Sequence, residues 1–235
     1  MNKQSPHLVF IPGFMLNESL WDDMLEYFPE HWNIHKASLE QGHSIEEIVE
    51  NIVKNAPKKF ILIGFSLGGY IARFLINQYP ERVSALILIA SSIRHDTEEQ
   101  KNQKIQAINA MSKKNFKGLS GVAISQTLHP SNSQNHYLIQ RIQKMGDKMG
   151  YETFVTLSLL ERTFEQHHVI KCPTLIIYGA QDRLRCKEQA IELMNMIPQS
   201  DLERIESTGH IIPLEQPEKL AITINDWLNK HGIVE

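Results

Sequence analysis

The stretch that decides the fold runs from Phe60 to Tyr70 and reads FILIGFSLGGY. It is an apolar run that leads into a lone serine, Ser66, with glycines on both sides. Because the run does not alternate polar with apolar residues, it predicts a strand buried on both faces, and the residues after it have the pattern of a helix. A serine at this junction has two interpretations: part of an ordinary tight turn, or a nucleophile on a strained elbow.

The residues around Ser66 favour the second interpretation. Gly64–Gly68 read GFSLG and match the pattern G-x-S-x-G, directly after a predicted strand and at the start of a predicted helix. Glycines at the first and last positions let strand and helix approach each other without a clash of Cβ atoms. The helix N-terminus adds free N–H groups and the positive end of the helix dipole. This setting, rather than the pentapeptide alone, indicates a nucleophile.

Similar apolar runs recur along the chain and alternate with amphipathic, helix-type segments. The strong strand patterns are HLVFI from His7, FILIGF from Phe60, VSALILIA from Val83 and KCPTLIIYG from Lys171, with weaker ones at WNIHKASL and DLERIES. Strand–helix–strand connections imply parallel strands with right-handed crossovers. The expected fold is α/β, with a doubly wound, mostly parallel sheet of about six strands.

The pattern changes between residues 93 and 169, where no strong strand pattern occurs and most segments have helical periodicity with polar faces. We interpret these residues as a helical lid inserted over the carboxyl edge of the sheet, where such sheets bind ligands. The predicted core then consists of residues 1–92 and 170–235.

Composition excludes several classes of protein. The chain has 235 residues, 42% of them hydrophobic, and a net charge of −3 with scattered Lys and Arg, so neither nucleic acid nor a membrane surface is an expected partner. Cys172 and Cys186 form neither a disulfide framework nor a metal-binding spacing, which favours a cytoplasmic location. The start has too short an apolar run for a signal peptide, and the longest apolar stretch is broken by Arg73.

A serine nucleophile needs a base, and the base needs a carboxylate to orient it. Of the 11 histidines, His210 is the best candidate, because it lies in a glycine-containing loop, STGHIIPLEQ, between the last strand and the closing helix. Asp182 lies in the sequence LIIYGAQDRL, in the loop after the first strand that follows the insertion. It completes the order Ser, Asp, His along the chain. The weaker alternatives for the acid are Asp201, Glu206 and Asp96.

An oxyanion that develops on the substrate needs two backbone N–H donors. Leu67, the residue after the nucleophile, is expected to supply one. The loop FIPGFML after the first strand is expected to supply the other, from Phe14, with Met15 as the neighbouring candidate.

With these residues assembled, the chain resembles the α/β-hydrolase superfamily, in the branch of small serine esterases with a helical lid. The GFSLGG elbow, the YGAQD loop and the GH loop carry the resemblance, which spans nearly the whole chain. The elbow and the compact length are similar to those of the pimeloyl-ester carboxylesterases, and also suit the lyases of menaquinone synthesis. Two departures stand out: no hairpin precedes the first strand, and Pro12-Gly13 stands where the family often has His-Gly.

The expected function is hydrolysis of a small-molecule ester or thioester through an acyl-enzyme, with Ser66, His210 and Asp182 as the triad and no metal or organic cofactor. The alternatives are a thioesterase, a C–C hydrolase or a lyase with the same triad, or a binding protein without turnover. Candidates for the substrate pocket are Met15, Phe154 and Leu157, although helical spacing also suits packing roles. Arg141 and Arg162 are candidates to bind a substrate carboxylate, with solvated surface charges as the alternative.

Overall fold

The computed structural model describes residues 5–162 and 169–234. At its centre lies a six-stranded sheet in the order β2-β1-β3-β4-β5-β6, in which every adjacent pair is parallel. The strands are β1 (His7–Ile11), β2 (Asn33–Lys36), β3 (Phe60–Phe65), β4 (Val83–Ile89), β5 (Thr174–Gly179) and β6 (Ser200–Ile205). The prediction of a parallel sheet of about six strands is confirmed.

Helices connect the strands. They are α1 (Asp22–Leu25), α2 (Ile45–Asn55), α3 (Leu67–Gln78), α4 (Glu98–Asn109), α5 (Gly121–Thr127), α6 (His136–Leu159), α7 (Lys187–Met196), α8 (Ile212–Glu215) and α9 (Pro217–Lys230). Short 3-10 turns occur at Glu18–Trp21, Pro80–Arg82 and Pro130–Asn132. The 3-10 turn that follows Asn17 continues directly into α1.

Alternate residues of the strands pack on opposite faces of the sheet, as the two-residue period of a strand requires. In β3, Ile61 and Ile63 belong to the cluster that α1, α8 and α9 cover. Leu62, between them, belongs to the cluster that α2, α3 and α7 cover. Both faces are buried, which explains why the strand sequences are apolar throughout and confirms the doubly wound arrangement.

The sequence at the start of α2, SIEE from Ser44, predicts a capping box, and the structure differs from that pattern in detail. The hydroxyl of Ser44 accepts a hydrogen bond from the N–H of Glu47, as expected of an N-cap. The carboxylate of Glu47, however, accepts from the N–H of His43 and not from that of Ser44. The reciprocal bond of a capping box is thus shifted by one residue, from Ser44 to His43.

Between β4 and β5 the chain forms α4, α5 and α6, and the described part of this segment contains no strand. Helix α6 is interrupted at Gly150, which has φ of +81°. The helical character of the segment agrees with its sequence, while its role as a lid and its boundaries at residues 93 and 169 stay predictions. Within the described ranges no helix is long and apolar enough to cross a membrane, and no three His, Cys, Asp or Glu residues are grouped so that they could hold a metal ion.

Candidate active site

Ser66 occupies a sharp turn between β3 and α3. Its backbone has φ of +52° and ψ of −111°, a conformation that costs a non-glycine residue roughly 1–3 kcal/mol. Hydrogen bonds on both sides hold it there. Its N–H donates to the carbonyl oxygen of Ile89 at 2.8 Å, and its own carbonyl accepts from the N–H of Gly69 at 3.0 Å. The turn therefore has the strained geometry that the sequence predicts for an elbow.

Two glycines make this turn possible because other backbone atoms lie where their Cβ atoms would be. A Cβ on Gly64 would lie 2.4 Å from the carbonyl oxygen of Gly68. A Cβ on Gly68 would lie 2.3 Å from the carbonyl oxygen of Ile11. These contacts are shorter than any real Cβ contact, and backbone atoms cannot move aside as a flexible side chain can. The close approach of strand and helix expected from the sequence is present.

A chain of hydrogen bonds leads from Ser66 into the protein. Nε2 of His210 lies 3.0 Å from Oγ of Ser66, and Nδ1 of His210 lies 2.8 Å from Oδ2 of Asp182. The other oxygen of Asp182, Oδ1, accepts from the N–H groups of Leu184 at 2.8 Å and Arg185 at 2.9 Å. The side chain of Asp182 is fully buried, so these bonds fix its orientation. The structure brings the three predicted residues together in the predicted order of contact.

The weaker candidates for the acid lie elsewhere. Their partners are Trp227 and His231 for Asp201, Arg204 for Glu206, and Lys104 for Asp96. Of the four carboxylates considered from the sequence, only Asp182 contacts His210.

The loop that carries His210 is tied to the segment between β4 and β5. The N–H of His210 donates to the carbonyl oxygen of Thr127 at 2.7 Å. The carboxylate of Glu215 accepts from the N–H of Gly209 at 2.9 Å through one oxygen and from the N–H of His129 at 2.7 Å through the other. These long-range bonds have no local sequence pattern, and the sequence did not indicate a role for Glu215 or Thr127.

The two expected oxyanion donors, Phe14 and Leu67, both line the cavity that contains Ser66. Leu67 is the first residue of α3, so its N–H has no acceptor within the helix. Among the described residues, no backbone hydrogen bond is made by the N–H of Phe14. Both donors are thus free to bind an oxyanion, and this role stays a prediction.

A cavity of about 680 Å³ opens above Ser66. The apolar part of its lining includes Phe14, Leu16, Leu119, Ile124, Ile142 and Phe154. Of the three pocket candidates, Phe154 lines the cavity, whereas Met15 and Leu157 are fully buried in the core and are not among the lining residues. Arg141 also lies outside this cavity, and it forms an ion pair with Asp23. Apolar residues at helical spacing look alike whether they face a cavity or a core, so the sequence did not separate them.

Another part of the cavity lining is charged. It includes Asp96, Lys104 and Arg162, and Arg162 is the residue considered from the sequence for a substrate carboxylate. Burial lowers the pKa of Arg162, an effect that the charge of Asp96 offsets in part. Burial alone would raise the pKa of Asp96, but the hydrogen bond from Lys104 and the charge of Arg162 lower it on balance. Asp96 is therefore ionised at neutral pH.

Comparison with known proteins places the chain among hydrolases. Residues 43–217 match the model of the Hydrolase_4 family, described as "Serine aminopeptidase, S33", and this range contains Ser66, Asp182 and His210. The chain belongs to the Hydrolase_4 family. The prediction of an α/β-hydrolase enzyme is confirmed by this match.

Two relatives and one solved structure are similar to this Hydrolase_4 chain over most of its length. It is 25% identical to the pimeloyl-[acyl-carrier protein] methyl ester esterase of Aliivibrio fischeri, over 96% of this chain and 94% of the relative. It is 26% identical to monoacylglycerol lipase ABHD6 of Bos taurus, over 95% and 75% of the two chains. A thermophilic esterase from Thermogutta terrifontis has the same fold, with a TM-score of 0.77, 23% identity and coverage of 97% and 90%. The prediction of an ester-hydrolysing enzyme agrees with these names.

Proposed function

We propose that this Hydrolase_4 chain cleaves carboxylic esters of small molecules through an acyl-enzyme formed on Ser66. The observation that carries the proposal is the continuous hydrogen-bond chain from Asp182 through His210 to Ser66, at a strained turn beneath a cavity. An esterase and a lipase among the relatives support ester bonds as the substrate class.

The geometry suits a two-step displacement. In the first step Nε2 of His210 takes the proton of Ser66 as Oγ attacks the ester carbonyl carbon, and the N–H groups of Phe14 and Leu67 stabilise the oxyanion. His210 then gives the proton to the departing alcohol. In the second step His210 activates a water molecule that cleaves the acyl-enzyme, and Asp182 stabilises the imidazolium throughout. All groups in these steps belong to the chain or to the substrate and water.

The apolar wall of the cavity suits an acyl chain, because small-molecule sites are lined mainly by apolar and aromatic side chains with a few polar groups. Thioester hydrolysis, C–C hydrolysis and lyase chemistry would use the same three residues. A panel of esters and thioesters with graded acyl length, together with C–C and lyase substrates, separates these alternatives by their relative kcat/KM. The cytoplasmic location and the part of residues 93–169 as a lid stay predictions from the sequence.

The test combines turnover with active-site labelling. Wild-type protein is expected to hydrolyse p-nitrophenyl esters and to react with a fluorophosphonate probe at Ser66. Ser66→Ala and His210→Ala are expected to lower kcat by about 10⁴–10⁶ and to abolish labelling. His31→Ala serves as the matched control, because His31 is exposed and does not line the cavity. This variant is expected to retain both turnover and labelling.

An undiminished rate in Ser66→Ala would overturn the proposal. A folded wild-type protein that is neither labelled nor active would instead favour a binding protein without turnover.

A further inference from the structure

The charges on the cavity wall do not balance. Among the described residues that line the cavity, four carry a cationic side chain and one, Asp96, carries a carboxylate outside the triad. The four cations are Lys104, Arg162, Arg183 and Arg185. A cavity with an excess of one sign of charge attracts ligand groups of the opposite sign, more strongly where its walls have a low dielectric.

Arg162 is largely buried and is poorly neutralised. Its side chain is only 9% exposed. Asp96 is hydrogen-bonded to Lys104, whereas its nearest oxygen lies 3.7 Å from Nη1 of Arg162, which is an ion pair without a hydrogen bond. Nε of Arg162 is buried with no hydrogen-bond partner among the described residues. The single carboxylate of this wall therefore does not satisfy the guanidinium.

Arg185, three residues after Asp182 in the loop that follows β5, has the same property. Its Nε is also buried without a hydrogen-bond partner in the described part of the chain. Its Nη1 donates a hydrogen bond to the carbonyl oxygen of Leu184 at 3.3 Å. Arg185 and Arg162 also repel each other. Burial is the main cause of the lowered pKa of Arg162, and the charge of Arg185 lowers this pKa further.

The ring of Tyr70 holds these guanidinium groups together. The Cζ atoms of Arg162, Arg185 and Arg73 lie 5.5, 5.9 and 5.1 Å from its centre, within the range of cation–π attraction. The hydroxyl of Tyr70 donates to the carbonyl oxygen of Arg94 at 2.7 Å, which fixes the ring. An aromatic face attracts a cation but does not replace a hydrogen-bond acceptor for its N–H groups, so the Nε–H groups of Arg162 and Arg185 keep their capacity to bind an anion.

A purely structural role for these charges would not need more cations than carboxylates. The ion pair of Asp96 and Lys104 is enough to connect α4 to the residues that precede it. A buried guanidinium whose Nε–H has no hydrogen-bond partner costs folding free energy, and a bound ligand that accepts from it offsets that cost. The planar fork of N–H groups on an arginine matches a carboxylate, with which it forms paired bonds.

We propose that Arg162 and Arg185 bind a carboxylate of the substrate, so that the preferred esters carry a free carboxylate remote from the bond that is cleaved. This inference rests on the proposed esterase function and specifies its substrate class. Lys104 and the guanidinium of Arg73 add to the positive potential of the site. The apolar wall around Phe154 accommodates the remainder of the substrate.

Matched substrates test the inference. Monomethyl esters of α,ω-dicarboxylic acids carry the carboxylate on the acyl side, and their ω-carboxamide analogues are neutral and nearly equal in shape. Acetyl esters of hydroxy acids and of the corresponding hydroxy amides place the same two groups on the alcohol side. The measured quantity is the ratio of kcat/KM between charged and neutral members, and we expect wild type to favour the carboxylate by roughly 10- to 100-fold on one of the two sides.

Variants assign that preference to the arginines. Arg162→Met and Arg185→Met are expected to lower the ratio by about 10-fold or more, and Arg162→Lys, which keeps the charge without the fork, to have an intermediate ratio. Arg204→Met is the matched control, since Arg204 pairs with Glu206 at the surface and does not line the cavity. Its ratio is expected to equal that of wild type. A wild-type ratio near one, or a ratio unchanged in both methionine variants, would overturn the inference.

Binding provides a readout that does not depend on turnover. Calorimetry on Ser66→Ala compares adipamic acid, which has a carboxylate and an amide, with adipamide, which has two amides. Tighter binding of the acid that is lost in Ser66→Ala/Arg162→Met supports the carboxylate site, and equal binding of the two compounds contradicts it. If neutral esters are hydrolysed without preference for the carboxylate, this inference fails and the esterase proposal stands. If no ester is hydrolysed, the esterase proposal fails and calorimetry still decides on the anion site.

Discussion

The hydroxyl of Ser91 donates a 3.0 Å hydrogen bond to the carbonyl oxygen of Ser66. Ser91 follows β4, the strand next to β3, so the end of one strand supports the turn after the other. Ser91 also fills the space above Gly69, where a Cβ would lie 2.4 Å from its Oγ and 2.5 Å from its Cβ. The strained conformation of Ser66 is thus supported from a neighbouring strand.

This packing predicts that Gly69→Ala destabilises the protein by about 1–3 kcal/mol, because the added methyl group overlaps Ser91. Ser91→Gly removes the overlapping atoms. The double variant is therefore expected to lose less free energy of unfolding than the sum of the two single variants. Urea denaturation of the four proteins measures the coupling. Strict additivity would show that Gly69 and Ser91 do not interact in this way.

Asp182→Asn is expected to lower kcat by about 10⁴ while KM changes little. An asparagine cannot accept hydrogen bonds on both sides as the carboxylate does, so either the bond to His210 or the bonds to the backbone N–H groups of Leu184 and Arg185 are lost. Steady-state kinetics on a p-nitrophenyl ester provides the measurement. Asp201→Asn is the control and is expected to keep wild-type kcat, and equal kcat in the two variants would contradict the role of Asp182.

Glu215→Gln is expected to lower both the free energy of unfolding, by about 1–3 kcal/mol, and kcat. Both carboxylate oxygens of Glu215 accept from N–H donors, those of Gly209 and His129, and the NH₂ of a glutamine would face one of these donors. Thermal melting and kinetics give the two quantities. Glu218→Gln, an exposed residue in α9, should change neither, and a Glu215→Gln variant with wild-type melting would refute the argument.

Asp96→Asn is expected to lower the free energy of unfolding by an amount that depends on pH. The pKa of Asp96 in the folded protein is lowered, so its ionised form contributes stability above the pKa of an unfolded aspartate, about 3.9, and this contribution disappears as the pH falls through the lower folded value. The difference in free energy of unfolding between wild type and Asp96→Asn is expected to be about 1–2 kcal/mol near pH 7 and to shrink in acid.

Denaturant titration of both proteins between neutral and acidic pH measures that difference. Asp22→Asn is the matched control, because Asp22 pairs with Lys36 at the surface with half of its side chain exposed. Its effect is expected to be close to zero at every pH. A constant difference for Asp96→Asn across the titration would show that the carboxylate is not responsible.

The sequence predicted the parts of the site that follow from local patterns. The glycines around Ser66 mark a close approach of strand and helix, and Asp182 and His210 each follow a strand, so a parallel sheet places all three at one edge. It did not distinguish Phe154, which lines the cavity, from Leu157, which packs in the core three residues later. Both are apolar and lie on the same helix, and only the positions of neighbouring elements separate them.

Contacts between distant segments were likewise beyond the sequence. The arrangement of Arg162 and Arg185 about Tyr70 joins residues from three separate segments, and each residue alone resembles an ordinary surface charge or core aromatic. The capping of α2 shows the same limit at short range, since the bond of Glu47 goes to His43 and depends on the path of the loop before the helix.

The bond from His210 to the carbonyl oxygen of Thr127 has a consequence for the exchange of parts between related proteins. A segment grafted between β4 and β5 would have to bring a carbonyl group to the position of Thr127 and an N–H donor to the position of His129. A graft that lacks either group would leave the histidine loop without its support even if the new helices pack well. The segment is therefore not an interchangeable module, and successful chimeras should be those whose grafts restore these two backbone contacts.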